Sequence, residues 1–215
     1  MSAIEDESKP AINDRSSSRV PIYIGISFEG GLILLAWLLG WLLGTSPYAT
    51  LHWTISGLLL GLLATLPMVA GFFLLLQSEH RSIKRIRQIF NDVAVPFLGA
   101  STWFDLAILS LMAGIGEEML FRGVAQAALD NWLSPWIGLA LASVLFGLLH
   151  ALTPAYAILA SLAGAYLGAV WLATGNLLVV IEAHSLYDFI ALSYLLRDSR
   201  RHEDLPCADA PTIAS

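Results

Sequence analysis

Apolar residues in this chain come in long blocks. "GLILLAWLLGWLL" and "GLLLGLLATLPMVAGFFLLL" are nearly unbroken, and a helix needs about 20 such residues to cross a bilayer core. Six blocks predict six helices, at 22–43, 55–76, 101–129, 135–150, 155–173 and 177–196. The fourth is short, so its neighbours must shield part of it. The fifth contains "ASLAGAYLGAVWLATG", whose small residues let helices approach closely in lipid. The expected fold is an all-α, polytopic helical membrane bundle with about six transmembrane helices. Residues 1–20 are polar and read as a disordered tail. The apolar run from Pro21 is too long for a signal peptide and reads as a retained span. The layout is then two N-terminal spans with a basic loop (21–96), a four-helix region (97–196) and a C-terminal tail (197–215).

The charges between blocks agree with that count. Loops after the first, third and fifth blocks carry no Lys or Arg. The loop after the second holds Arg81, Lys84, Arg85 and Arg87, and both tails are basic near the membrane. With six spans, every basic loop and tail falls on one side, and the positive-inside rule makes that side cytoplasmic. An inner cell membrane location with both termini in the cytoplasm is expected. "HRSIKRIRQIF" can form an amphipathic surface helix, but a solvated basic loop that only sets topology is the simpler expectation.

Composition adds exclusions. The chain is 57% hydrophobic and 13% charged, with mean hydropathy +0.70, far from a soluble domain. Net charge is −6 with no concentrated basic face in a folded region, which excludes nucleic acid as a partner. The one cysteine, Cys207, rules out an intramolecular disulfide and a multi-cysteine metal site.

Against this background, ionisable residues inside the blocks are costly and point to function. Glu118 and Arg122 lie four apart and can pair across one helical turn. Glu117 is rotated from Glu118 by about 100° and is left available. Phe146 and His150 share a face of the fourth helix, as do His184 and Asp188 on the sixth, where the aspartate can hold the imidazole's tautomer. Phe146 reads as core packing. Glu29 and Asp105 are expected apart from this group in structural roles, and Glu182 points away from His184. Glu117, His150 and His184 thus bring one carboxylate and two imidazoles from three helices. Such a set can activate water for peptide hydrolysis. It can equally ligate zinc. No HExxH or GxSxG motif and no span cysteine is present. A proton relay in a small transporter is a further use of the same groups. Counted from Ser101, Glu117 falls about 24 Å along a straight helix, deeper than a site facing the cytoplasm calls for.

Three motifs carry a resemblance. "EEMLFR" (Glu117 to Arg122), "FGLLH" (Phe146 to His150) and "HSLYD" (His184 to Asp188) resemble, in order, the EExxxR, FxxxH and HxxxN/D motifs of the CPBP family. That family comprises CAAX prenyl proteases and bacteriocin-processing enzymes, also called Abi. The resemblance spans 97–196 and implies an intramembrane endopeptidase acting on a membrane-associated protein or peptide. It implies Glu117 as general base with His150, His184 and Asp188 as the oxyanion pair, and Glu118 and Arg122 as organisers. Family members are described both as metalloproteases and as metal-free glutamate proteases. The set is complete without a metal, so no cofactor is expected, with zinc on Glu117, His150 and His184 as the alternative. Where prenyl-protein proteases often have asparagine, this chain has Asp188, which donates to an oxyanion only when protonated. A non-enzymatic immunity or scaffolding protein on the same fold is the other reading.

Overall fold

A computed structural model describes residues 19–203. The expected N-terminal tail (nearly all of it), Cys207 and most of the C-terminal tail lie outside the described residues. Seven helices follow in order: α1 (Val20–Leu43), α2 (Ile55–Leu76), α3 (Arg81–Leu98), α4 (Trp103–Trp132), α5 (Pro135–Leu149), α6 (Pro154–Thr174) and α7 (Leu177–Glu203). There is no strand among the described residues.

Local chemistry sets the ends. Thr54, Thr102, Ser134 and Thr153 each accept from an amide of the following helix, which satisfies donors that a helix start leaves open. Thr102 and Asp105 form a reciprocal capping box; this is the role of the buried Asp105. Gly175 ends α6 at φ +60, a conformation that a side chain would strain.

Four helices are long and apolar enough to cross a membrane: α1, α2, α6 and Leu177–Arg201 of α7. The chain is therefore a multi-pass membrane protein. The bent pair of α3 and α4 makes a fifth crossing when counted as one. Helix α4 is long, but Glu117, Glu118 and Arg122 interrupt its apolar character. Helix α5 has 15 residues and spans about 22 Å, less than the roughly 30 Å core.

Where a solvated loop is the simpler expectation, α3 is a helix, meeting α4 at 113°. Its periodicity decides this. Ile83, Ile86, Ile89 and Phe90 are half-buried along one face, while Arg81, Lys84, Arg85 and Gln88 are exposed. Arg87 donates to the carbonyls of Leu76 (3.1 Å) and Ser78 (3.3 Å). A cation there satisfies the C-terminal end of α2.

Helices α4 and α7 form the centre. Helix α1 lies against α4, α2 against α7, and α5 against α6. Opposite the basic end, Asn176 accepts from the His52 amide (3.1 Å) and donates to its carbonyl (2.9 Å). The indole of Trp171 donates to Thr50 (3.0 Å). These bonds pin the α1–α2 loop to the α6–α7 turn. Close approach needs small residues: a Cβ on Gly116 would meet the Glu29 carbonyl oxygen at 2.6 Å, so α1 and α4 touch backbone to backbone at the level of Glu117.

Candidate active site

The motif on α4 falls on a change of helix type. The α-helix ends at Glu118, and Met119–Gln126 is π-helical. Wide turns of this kind are rare and gather at functional sites. Here the transition lies directly after the two glutamates. Each wide turn takes an extra residue, so the faces beyond Met119 are not those of a uniform α-helix.

Glu118 and Arg122 are fully buried, 0% and 1% exposed. Arg122 Nη1 donates to Glu118 Oε1 at 2.7 Å, and Nη2 donates to the carbonyl of Gly164 on α6 at 2.8 Å. The same Glu118 Oε1 accepts from His184 Nδ1 at 2.8 Å. One carboxylate oxygen therefore ties α4 to α7, while the guanidinium ties α4 to α6. Charged groups this deep are tolerated only when so paired.

That bond sets the tautomer of His184. A carboxylate only accepts, so Nδ1 carries the proton and Nε2 faces the remaining carboxylates, Asp188 Oδ2 at 3.5 Å and Glu117 Oε2 at 4.0 Å. The sequence assigns the tautomer-holding role to Asp188; in the structure Glu118 performs it, because the imidazole of His184 reaches across to α4 with its Nδ1 side.

His150 caps the C-terminal end of α5. Its Nδ1 donates to the Phe146 carbonyl at 2.8 Å, a residue one turn earlier. Nε2 then points at Glu117 Oε2, 3.6 Å away, beyond a good direct hydrogen bond. Phe146 does more than fill the core. It stacks on His150 (4.3 Å, 22°), meets His184 edge-on (6.1 Å) and has the Arg122 guanidinium 5.1 Å from its ring centre. The ring spaces the two imidazoles.

The structure thus brings Glu117, Glu118, Arg122, His150, His184 and Asp188 together. The cluster has a closed back and an open front. Glu118, Arg122 and His184 are sealed, whereas the side chains of His150 and Asp188 are 29% and 28% exposed. Glu117 lies between, with Oε2 buried and without a hydrogen-bond partner among the described residues. His184 is two turns from the start of α7, the end away from the arginines, which accords with the depth counted along α4.

Two neighbours escape the sequence reading. Glu29 of α1 is expected apart from the cluster, yet it lies within electrostatic reach of Glu117, Asp188, His184 and His150, and its Oε2 is buried and unpaired among the described residues. The contact of α1 with Gly116 brings it there. Tyr156, near the start of α6, is within reach of Asp188 and Glu117. Spacing within one helix cannot reveal either, because each comes from a separate helix. The small residues around Gly116 are the one sequence signal of close approach. Glu182 lies elsewhere, against Gly61 of α2.

No group of three or more His, Cys, Asp or Glu side chains among the described residues is arranged to hold a metal ion. The trio Glu117, His150 and His184 is adjacent, its histidine nitrogens 3.6 and 4.0 Å from one glutamate oxygen, and His184 Nε2 also lies beside Asp188. Donors on one tetrahedral zinc stand about 3.3 Å apart, so these three are the residues that would hold one; no step below is routed through a metal.

Residues 99–190 fit the family model described as type II CAAX prenyl endopeptidase Rce1-like, a stretch that contains all six clustered residues and excludes Glu29. No curated protein and no solved structure matches the chain.

Proposed function

With residues 99–190 assigned to the CAAX protease family, we propose that the chain is an intramembrane endopeptidase hydrolysing a peptide bond of a membrane-associated protein or peptide with a water activated by Glu117 and His150. The observation that carries this reading is the facing pair of acceptors. His150 spends its Nδ1 proton on Phe146, which leaves the Nε2 lone pair of the neutral ring toward the buried, unpaired Oε2 of Glu117, 3.6 Å away. Two acceptors at that separation are bridged by a molecule that donates to both. A water so held presents its oxygen lone pair outward, toward the half-open side of the site, where a peptide carbonyl enters.

The steps follow from general acid–base chemistry. The water oxygen attacks the carbonyl carbon, and one of its protons passes to Glu117. The carbonyl π electrons move to oxygen, and the tetrahedral oxyanion needs donors. His184 supplies one from Nε2 when that nitrogen is protonated, with Asp188 Oδ2 3.5 Å away. Glu117 then returns its proton to the leaving amine as the C–N bond breaks. Glu118 and Arg122 touch no reacting atom; they hold His184 in place. An ionised Asp188 accepts and does not donate, so its part is to support His184. The location we propose is the cell membrane with both termini cytoplasmic, on the one-sided distribution of Lys and Arg.

The test is cleavage by the purified full chain in liposomes of membrane-anchored peptides, read by mass spectrometry of the products. Defined cleavage at a peptide bond is expected. Proton-coupled flux without cleavage would favour a transporter, and neither activity would favour a scaffolding or immunity role. Elemental analysis of the active protein tests the metal-free step: stoichiometric zinc would overturn it.

A further inference from the structure

A second polar site lies at the opposite, basic end of the bundle. Between the α3–α4 corner and the last turns of α7 there is a cavity of about 240 Å³. Arg200 builds one wall by donating to the carbonyls of Gly99 (2.8 Å) and Ser101 (3.2 Å). Arg197 and Arg201 also line it, and both are exposed. Its inner surface is Leu106 and Leu196, both buried. Trp103, 58% exposed, completes the lining on the α4 side.

We propose that this cavity binds the phosphate-bearing headgroup of an anionic phospholipid. Three observations support that occupant. The first is charge: three guanidiniums face one cavity, and arginine matches phosphate by geometry as well as sign. Asp105, the nearest acid on α4, is engaged by the helix cap, its Oδ2 accepting from the amide and hydroxyl of Thr102 at 2.8 Å each. The second is an unspent donor. Ser193 is 7% exposed, lines the cavity and makes no hydrogen bond from Oγ among the described residues. A buried hydroxyl without a partner is costly, and a phosphate oxygen would satisfy it. The third is position. The basic surface helix α3 leads into this corner, so the cavity lies at headgroup level, with arginines outward and leucines inward in the order of a lipid's own polarity. Basic pockets between transmembrane helices on the cytoplasmic side hold anionic headgroups in this manner.

The test uses native mass spectrometry of the detergent-solubilised full chain, titrated separately with phosphatidylglycerol, phosphatidylcholine and inorganic phosphate. Preferential binding of phosphatidylglycerol is expected, weakened roughly fivefold by Arg197→Gln and again by Arg201→Gln. Arg200 is left intact, because its bonds to backbone carbonyls are structural. Ser193→Ala removes only the hydroxyl and weakens binding by a smaller factor, which keeps the test sound should an arginine variant fail to fold. Arg81→Gln on the exposed face of α3 is the control and leaves binding unchanged. Equal binding of the two lipids overturns the proposal. So does an Arg81→Gln effect as large as that of Arg197→Gln, which would reduce the site to diffuse surface charge. Inorganic phosphate binding that phosphatidylglycerol does not displace would reassign the cavity to a free anion.

Discussion

Helices α1 and α2 and helices α4 and α7 solve opposite problems. In the first pair, only 11% and 17% of the most apolar stretch is buried within the protein; leucine and tryptophan face lipid, and α2 carries no charge. In α7 half of the corresponding stretch is buried, and α4 with α7 brings three acids, an arginine and a histidine together. Unbroken hydropathy marks the first pair as spans, whereas in α4 the apolar run is interrupted by the residues that make it interesting. The difference teaches how a membrane protein carries charge: not by exposing it, but by closing a bonded network around it, within which the Glu117 oxygen facing both imidazoles stays unspent.

The most damaging way to break this contrast is to unpair the network. Arg122→Met leaves Glu118 buried against a histidine alone, and a loss of about 3–5 kcal/mol is expected, read as a fall in thermal unfolding temperature in detergent. Adding Glu118→Gln should recover part of it. No recovery would mean that Arg122 acts through its bond to Gly164 instead.

Glu29→Gln probes the one place where the lipid-facing pair reaches the cluster. A fall in kcat on the order of tenfold is expected from the lost charge beside the site, about 1.4 kcal/mol, with KM and unfolding temperature unchanged. An unaltered kcat would return Glu29 to a structural role. Phe146→Leu removes the ring between the imidazoles, and about 1 kcal/mol of stability should go with it, together with activity. At the quiet end, Leu59→Ala on α2, where the side chain is 57% exposed, should change stability by no more than about 0.5 kcal/mol. A large effect there would show that α2 faces protein instead of lipid.

The same contrast explains what could be read in advance. The spans were legible because a long apolar block has one economical fate in lipid. The expected 55–76 coincides with α2, 135–150 overruns α5 by one residue, and 155–173 falls one residue short of α6 at each end. The Glu118–Arg122 pair was legible because it is local, one turn apart. Three features were not. The helical state of α3 depends on a face half-buried against the bundle, which its charge run conceals. The π-helical stretch after Glu118 has no residue signature in "MLFRG". Glu29 and Tyr156 join by tertiary approach, and no spacing within one helix encodes which neighbours meet. The tautomer of His184 belongs with these: Asp188 is near in sequence, but Glu118 on another helix reaches Nδ1.

The central claim is that the unspent oxygen of Glu117 activates water for peptide hydrolysis. The most direct measurement is the cleavage rate of Glu117→Gln beside its unfolding temperature, both against wild type. The amide keeps the shape and removes the base, so a loss of at least about a hundredfold in kcat is predicted with the unfolding temperature unchanged. A folded Glu117→Gln protein that still cleaves at the wild-type rate would contradict the account.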